Sequence, residues 1–222
     1  MLLKKAESLF TEVEMFYKTL GNIPVDKLQI FKDAIMPIAV SKPFSQVVKM
    51  DPDLISQFYK ILFPDEFTVK YLADSNSKIF ISPPNKGCEY IHKDGLDKKC
   101  ALNVVIDCNP TDWVRWYDDD EVFSKGGKLE TVVQLRWPGV VDERIQAWPT
   151  RKITNLLNYQ LLDHVEEYTG QTPGDFYLIN TDVFHFFRNV GTNYRLIIQT
   201  KFSQNDPIEE LYEYVQQIGL NF

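Results

Sequence analysis

The sequence predicts a mainly β domain, an antiparallel sandwich or barrel with flanking α-helices. Three observations carry that expectation. From Lys70 to Phe202, short runs rich in Val, Ile, Phe and Tyr are punctuated by Gly, Pro, Asn and Asp, the pattern of antiparallel β architectures. On either side of that stretch the apolar residues recur at threes and fours, the spacing of an amphipathic helix. With 222 residues and 44% apolar content the chain can bury one sizeable core. The reading is one domain over 1–222, with an N-terminal helical flank at 1–69, a β core at 70–203 and a C-terminal helix at 204–222.

Taken in order, Leu2, Leu3, Ala6, Leu9, Phe10, Val13, Phe16, Tyr17 and Leu20 put one apolar stripe on a helix that Gly21 and Asn22 end. A second helix starts at Asp51, an N-cap with Pro52 at the first helical position, and runs through Leu54, Phe58 and Leu62 towards Pro64. Strands are expected at 78–81, 90–92, 101–107, 114–117 and 129–135, then at 165–168, 175–179, 183–187 and 194–202. The last helix takes Asp206 as N-cap and Pro207 at its first position. It buries Ile208, Leu211, Tyr212, Val215 and Ile218, and stops at Gly219.

A net charge of -7 repels phosphate backbones and anionic membrane surfaces, so general nucleic-acid binding is not expected. Three cysteines, Cys88, Cys100 and Cys108, form no Cys-x-x-Cys pair. They suggest neither a disulfide framework nor a thiolate zinc site, and a reducing compartment fits them best. Glu7, Thr11, Glu12 and Glu14 interrupt the N-terminal apolar residues, unlike a signal peptide, and no stretch matches a membrane span. The expected location is cytoplasmic, and the sequence says nothing of oligomeric state.

The chain has three histidines, His92, His164 and His185. Side chains two apart on a strand point the same way, so His92 and Asp94 can converge on one point. A His-x-Asp triplet alone is a common coincidence. More informative is the order of the residues downstream: Pro173-Gly174-Asp175-Phe176-Tyr177-Leu178-Ile179-Asn180, then His185, then Arg195 opening Tyr194-Arg195-Leu196-Ile197-Ile198.

On these residues the chain resembles the 2-oxoglutarate and Fe(II)-dependent oxygenases of the double-stranded β-helix fold, and their prolyl-hydroxylase-like branch in particular. The resemblance runs over 126 residues, from Lys78 to Ser203. It implies a jelly-roll, cupin-like barrel in which His92, Asp94 and His185 are the metal ligands and Arg195 holds the co-substrate. It also implies Fe(II) as cofactor, with 2-oxoglutarate and dioxygen as co-substrates. The reaction would oxidatively decarboxylate 2-oxoglutarate to succinate and CO2 and hydroxylate a substrate C–H bond. Two histidines and one carboxylate on one face of an octahedral ion leave positions open for that chemistry. Arg195 supplies a permanent, forked cation for the distal carboxylate, which would be costly to bury unpaired.

Tyr90, on the face of His92 by strand parity, and Asn103, in the strand after the motif, could hydrogen-bond the co-substrate; core packing is the plainer account of each. His164 reads as an ordinary surface histidine. Trp113, Arg115, Trp116 and Tyr117 could line a substrate wall, and Trp137-Pro138 and Trp148-Pro149 could belong to a lid; aromatics packed under long loops are the simpler reading. Asp118 to Glu121 reads as a solvated loop, and Cys88 and Cys100 as buried thiols.

Two rivals stand beside the oxygenase. One is a cupin-like metalloprotein that binds another divalent ion through His92, Asp94 and His185 without 2-oxoglutarate; the other is a noncatalytic jelly-roll binding module. An oxygenase needs Arg195 to face the interior, whereas the rivals allow it at the surface. The substrate is a protein side chain, a free amino acid or another small metabolite.

Overall fold

Alternation along the strands sorts the side chains onto two faces. In the computed structural model, which describes residues 16–41, 45–65, 76–88, 90–94, 100–136, 146–154, 162–202 and 208–219, this builds two six-stranded antiparallel sheets. The first sheet contains β1 Tyr17–Asn22, β2 Gln46–Lys49, β3 Asn76–Ser82, β5 Cys100–Asp107, β10 Asp175–Asn180 and β12 Arg195–Lys201, in the order β1-β10-β5-β12-β3-β2. The second contains β4 His92–Lys93, β6 Trp113–Tyr117, β7 Lys128–Arg136, β8 Gln146–Thr154, β9 Glu166–Tyr168 and β11 Phe184–Arg188, in the order β7-β8-β4-β11-β6-β9.

Between the sheets lies one apolar cluster. The first sheet gives it Ala101, Val105, Tyr177, Ile179 and Ile197, and the second gives Val114 and Trp116. The first sheet's other face is apolar too, through Leu102, Val104, Phe176, Leu178, Leu196 and Ile198. Three helices bury it: α1 Val25–Val40, α2 Pro52–Leu62 and α4 Ile208–Ile218. Phe31 of α1 meets Phe58 of α2 edge-on at 5.3 Å, both fully buried. Burial of each such ring stabilises the fold by roughly 1.5–3 kcal/mol. The outer face of the second sheet carries Ile91, Tyr117, Phe184 and Phe186, and Val122 of the short helix α3 Asp119–Ser124 packs there.

The nine strands expected from sequence are all present, with ends shifted by a residue or two, and α2 begins as expected at Asp51, whose carboxylate accepts from the Asp53 and Leu54 amides. The C-terminal helix is present; its expected cap, Asp206-Pro207, lies outside the described residues. The helix expected over 2–20 is corrected at its end: Tyr17–Asn22 is a strand, and residues 1–15 lie outside the described residues. Pairing with the β10 edge outweighs the local helical spacing, and Tyr17 gains stacked contacts with Trp116 and Tyr168. The N-terminal flank is thus not purely helical, since β1 and β2 join the first sheet.

Four elements fall where the sequence predicts none. α1 holds Leu28, Phe31, Ile35 and Ala39 at helical spacing but starts without a side-chain cap and contains Pro37. β2 is a four-residue edge strand. β8 includes Trp148-Pro149, expected in a lid; Pro149 lies past the two residues of β8 that pair with β4, at an edge where a missing N–H is tolerated. Asp118 to Glu121 is not a loop: Asp118 caps α3, with the other three acids in its first turn, where the helix dipole favours negative charge.

Candidate metal centre

His185 sits between Phe184 and Phe186, whose rings are buried in the outer cluster, so strand parity turns its imidazole inward. In the antiparallel register His185 lies directly opposite His92. Their rings are neighbours, with centroids 4.5 Å apart. Asp94, two residues beyond His92, has left β4 but is held by its amide, which donates to the Thr181 carbonyl at 2.9 Å. One ligand atom each from His92, Asp94 and His185 lies within 4.8 Å of the others.

The surroundings prepare all three side chains to bind a cation. The Nδ1 atoms of His92 and His185 lie 3.0 and 2.9 Å from the carbonyls of Tyr90 and Val183. Each carbonyl accepts an Nδ1–H, which leaves Nε2 as the free lone pair. Burial, with His92 alongside, pushes the His185 pKa down to about 4, so the ring is neutral near pH 7. Burial by itself would raise the Asp94 pKa, yet Lys201, His185, His92 and Lys78 together hold it well below the usual carboxylate range. Two imidazoles, that of His185 neutral, and one ionised carboxylate are a donor set that suits a divalent transition metal. Cysteine does not complete it: burial pushes the Cys88 thiol up to about 12, and Cys100 and Cys108 are raised for the same reason.

Arg195 opens β12 and is buried, 3% exposed, on the inner face. Its guanidinium lies over the Phe187 ring, and Nη2 donates to Gln171 Oε1 at 3.4 Å; Nε meets no acceptor among the described residues. Asn103 is buried on the same inner face, donating to the Tyr177 hydroxyl at 3.2 Å, while its Oδ1 has no partner among the described residues. Tyr90 precedes the strand instead of opening it, and is 38% exposed. Its main-chain carbonyl is what meets His92.

Sequence reasoning missed Lys78, Gln171, Gln199 and Lys201, all buried. A signal existed: Arg195, Ile197, Gln199 and Lys201 alternate along β12, so three polar side chains share one face of a buried strand. Lys201 Nζ lies 3.5 Å from Asp94 Oδ2, while Asp94 Oδ1 is 3.6 Å from His92 Nε2.

His164 stays at the surface, 3.7 Å from Glu167. Trp113, Arg115, Trp116 and Tyr117 do not form one wall. Trp116 lies between the sheets, Tyr117 and Trp113 pack on the outer cluster, and Arg115 stacks on Trp113 and pairs with Glu167. Trp137-Pro138 lies outside the described residues. No helix among the described residues is long and apolar enough to cross a membrane.

No family model and no curated protein matches the chain. Among solved structures there are similarities at low sequence identity. The chain is similar to the viral collagen prolyl hydroxylase vCPH of Paramecium bursaria Chlorella virus-1 in its 2-oxoglutarate complex, with 12% identity, a TM-score of 0.45, and coverage of 86% of this chain and 97% of that one. HygX of Streptomyces hygroscopicus with nickel and 2-oxoglutarate bound is also similar, at 8% identity and a TM-score of 0.47, covering 85% of this chain and 82% of HygX. The iron-bound form of HygX gives 9% identity and a TM-score of 0.45 over the same shares, 85% and 82%.

Proposed function

We propose that the protein is an Fe(II)- and 2-oxoglutarate-dependent dioxygenase built on a jelly-roll, double-stranded β-helix core, one domain over 1–222 that hydroxylates a C–H bond of a protein side chain, amino acid or small metabolite. The observation that carries this reading is the convergence of His92, Asp94 and His185 in an interior that also buries Arg195. The burial of Arg195 favours the oxygenase over a cupin-like metalloprotein or a noncatalytic module, because a buried guanidinium whose Nε meets no acceptor among the described residues fits an anionic ligand that neither rival requires. Three free cysteines support a reducing, cytoplasmic setting.

In this reading His92 and His185 hold the metal through Nε2 and Asp94 through Oδ1. When bound, Fe(II) with 2-oxoglutarate and dioxygen supplies the oxidising power, one oxygen atom going to succinate and the other to the substrate. Arg195 fixes the distal carboxylate by forked hydrogen bonds, with Phe187 beneath its guanidinium setting the angle. Asn103, and Tyr90 at the rim, hydrogen-bond the co-substrate. The apolar wall of Val105, Ile179 and Ile197 keeps bulk water from the site.

The test is anaerobic titration with Fe(II) and then 2-oxoglutarate, following visible charge-transfer absorption. Absorption that needs both additions and is lost in Asp94→Ala is the expected result. Iron binding with no absorption on adding 2-oxoglutarate would favour the cupin-like alternative.

A further inference from the structure

The charges around Asp94 exceed what the metal and co-substrate can balance. Lys201 is 7% exposed, and its ammonium has one partner among the described residues, Asp94 Oδ2 at 3.5 Å, a separation too long for a strong hydrogen bond. Lys78, opposite Gln199 in the β3–β12 register, also bears on Asp94. A buried ammonium needs a counter-charge. A dication on Asp94 would take up that carboxylate's charge. The dication and Arg195 together carry three positive charges, which Asp94 and a dianionic co-substrate cancel. Lys201 then keeps only a share of the Asp94 carboxylate, through Oδ2, and its positive charge stands in excess of that sum. Nor is it placed to share the anion on Arg195: the two residues are six apart on one strand, ~20 Å along the backbone, so their side chains approach the interior from opposite ends.

We propose that Lys201 is the substrate-recognition residue of this site and that the primary substrate carries a carboxylate, which the Lys201 ammonium receives beside the metal ligands. This rests on the oxygenase reading and narrows it to anionic substrates. Gln199, buried two positions from Lys201 on the same face, would offer its amide N–H2 to the same group. Neutral substrates would leave the ammonium buried and uncompensated, so the site discriminates against them by the desolvation cost of an unpaired charge.

The test uses Co(II)-loaded protein saturated with 2-oxoglutarate and a set of N-acetyl amino acids with the matching amides, which differ only in the carboxylate. Binding is read from the Co(II) absorption spectrum, and 2-oxoglutarate consumption is followed in parallel with Fe(II). At least one acid is expected to bind about tenfold or more tightly than its amide. Lys201→Met should abolish that preference, with 2-oxoglutarate affinity within about threefold of the parent and Co(II) affinity equal or higher, because a like charge has been removed. Lys201→Arg should retain the preference. A lysine serving the fold alone would lower stability and all affinities together. No acid binding better than its amide, a preference that survives Lys201→Met, or a tenfold loss of 2-oxoglutarate affinity in Lys201→Met would each overturn the proposal. Failure of the parent protein to bind Co(II) or 2-oxoglutarate would instead overturn the oxygenase reading on which it stands.

Discussion

At the scale of residues, each proposed ligand is supported by a neighbour that fixes its protonation or orientation, and substitutions should separate those roles. His92→Ala and Asp94→Ala should each abolish Fe(II) binding in a folded protein, since both side chains are only partly buried at the end of a two-residue strand. Equilibrium dialysis checks this, and iron retained at parental affinity in either variant would remove that residue from the site. His164→Gln, by contrast, should leave metal affinity within about threefold, because this imidazole stands at the surface beside Glu167. Arg195→Met keeps much of the aliphatic bulk but removes the guanidinium over Phe187 and its forked donors. Loss of a buried charged pair costs ~2–5 kcal/mol, and at about 1.4 kcal/mol per decade the 2-oxoglutarate Kd should rise roughly 30-fold or more. Metal affinity should be kept, and an unchanged Kd for 2-oxoglutarate would leave Arg195 as a packing residue.

Among the elements, β12 and β11 place the site, and the turn between them is held by a buried polar network. Asn109 Nδ2 donates to Asn189 Oδ1 at 3.0 Å and to the Asn193 carbonyl at 3.1 Å, while Asn189 Nδ2 donates to the carbonyls of Ser82, Pro83 and Asn193. A side chain at Gly191 would put its Cβ 2.1 Å from Asn109 Cγ. Gly191→Ala should therefore cost ~1–3 kcal/mol by overpacking and, by shifting the start of β12, weaken 2-oxoglutarate more than metal. Urea unfolding together with the two titrations decides it; equal losses of both affinities would mean a general effect on the fold. The same elements show what the sequence disclosed. Strand composition, short runs of Val, Ile, Phe and Tyr between turn residues, was legible in β3, β5, β10, β11 and β12, whereas the inward faces of His185 and Arg195 came from the structure. It failed at β1, where Phe16, Tyr17 and Leu20 fit a helical stripe and only pairing with β10 decides otherwise. It failed at β8, where Pro149 reads as a breaker unless the edge position is known. Lys201 and Gln199 escaped notice because their importance depends on Asp94, which comes to Lys201 from the other sheet.

For the whole molecule, the buried titratable groups beside the apolar cluster between the two sheets store free energy in their protonation states, and acid should release it. The His185 pKa is lowered from 6.5 to about 4 in the folded protein, so the folded state binds fewer protons than the unfolded state between those values. By linkage, a depressed histidine contributes its full stability above pH 6.5 and loses it as pH falls towards 4. Asp94, also held low, keeps its contribution through that window and loses it only at more acid pH. At about 1.4 kcal/mol per unit of pKa shift, metal-free protein should lose ~2 kcal/mol between pH 7.5 and pH 5 from His185 alone. A metal that binds only the native state adds stability at pH 7.5 and makes the decline on acidification steeper, because protons then compete for both imidazoles. Urea unfolding at the two pH values, with and without Zn(II), measures both effects. His185→Gln should flatten the metal-free dependence by that ~2 kcal/mol and remove the Zn(II) increment. If the variant lost as much stability as the parent between pH 7.5 and pH 5, the acid sensitivity would belong to other groups, and the buried neutral imidazole would have no part in it.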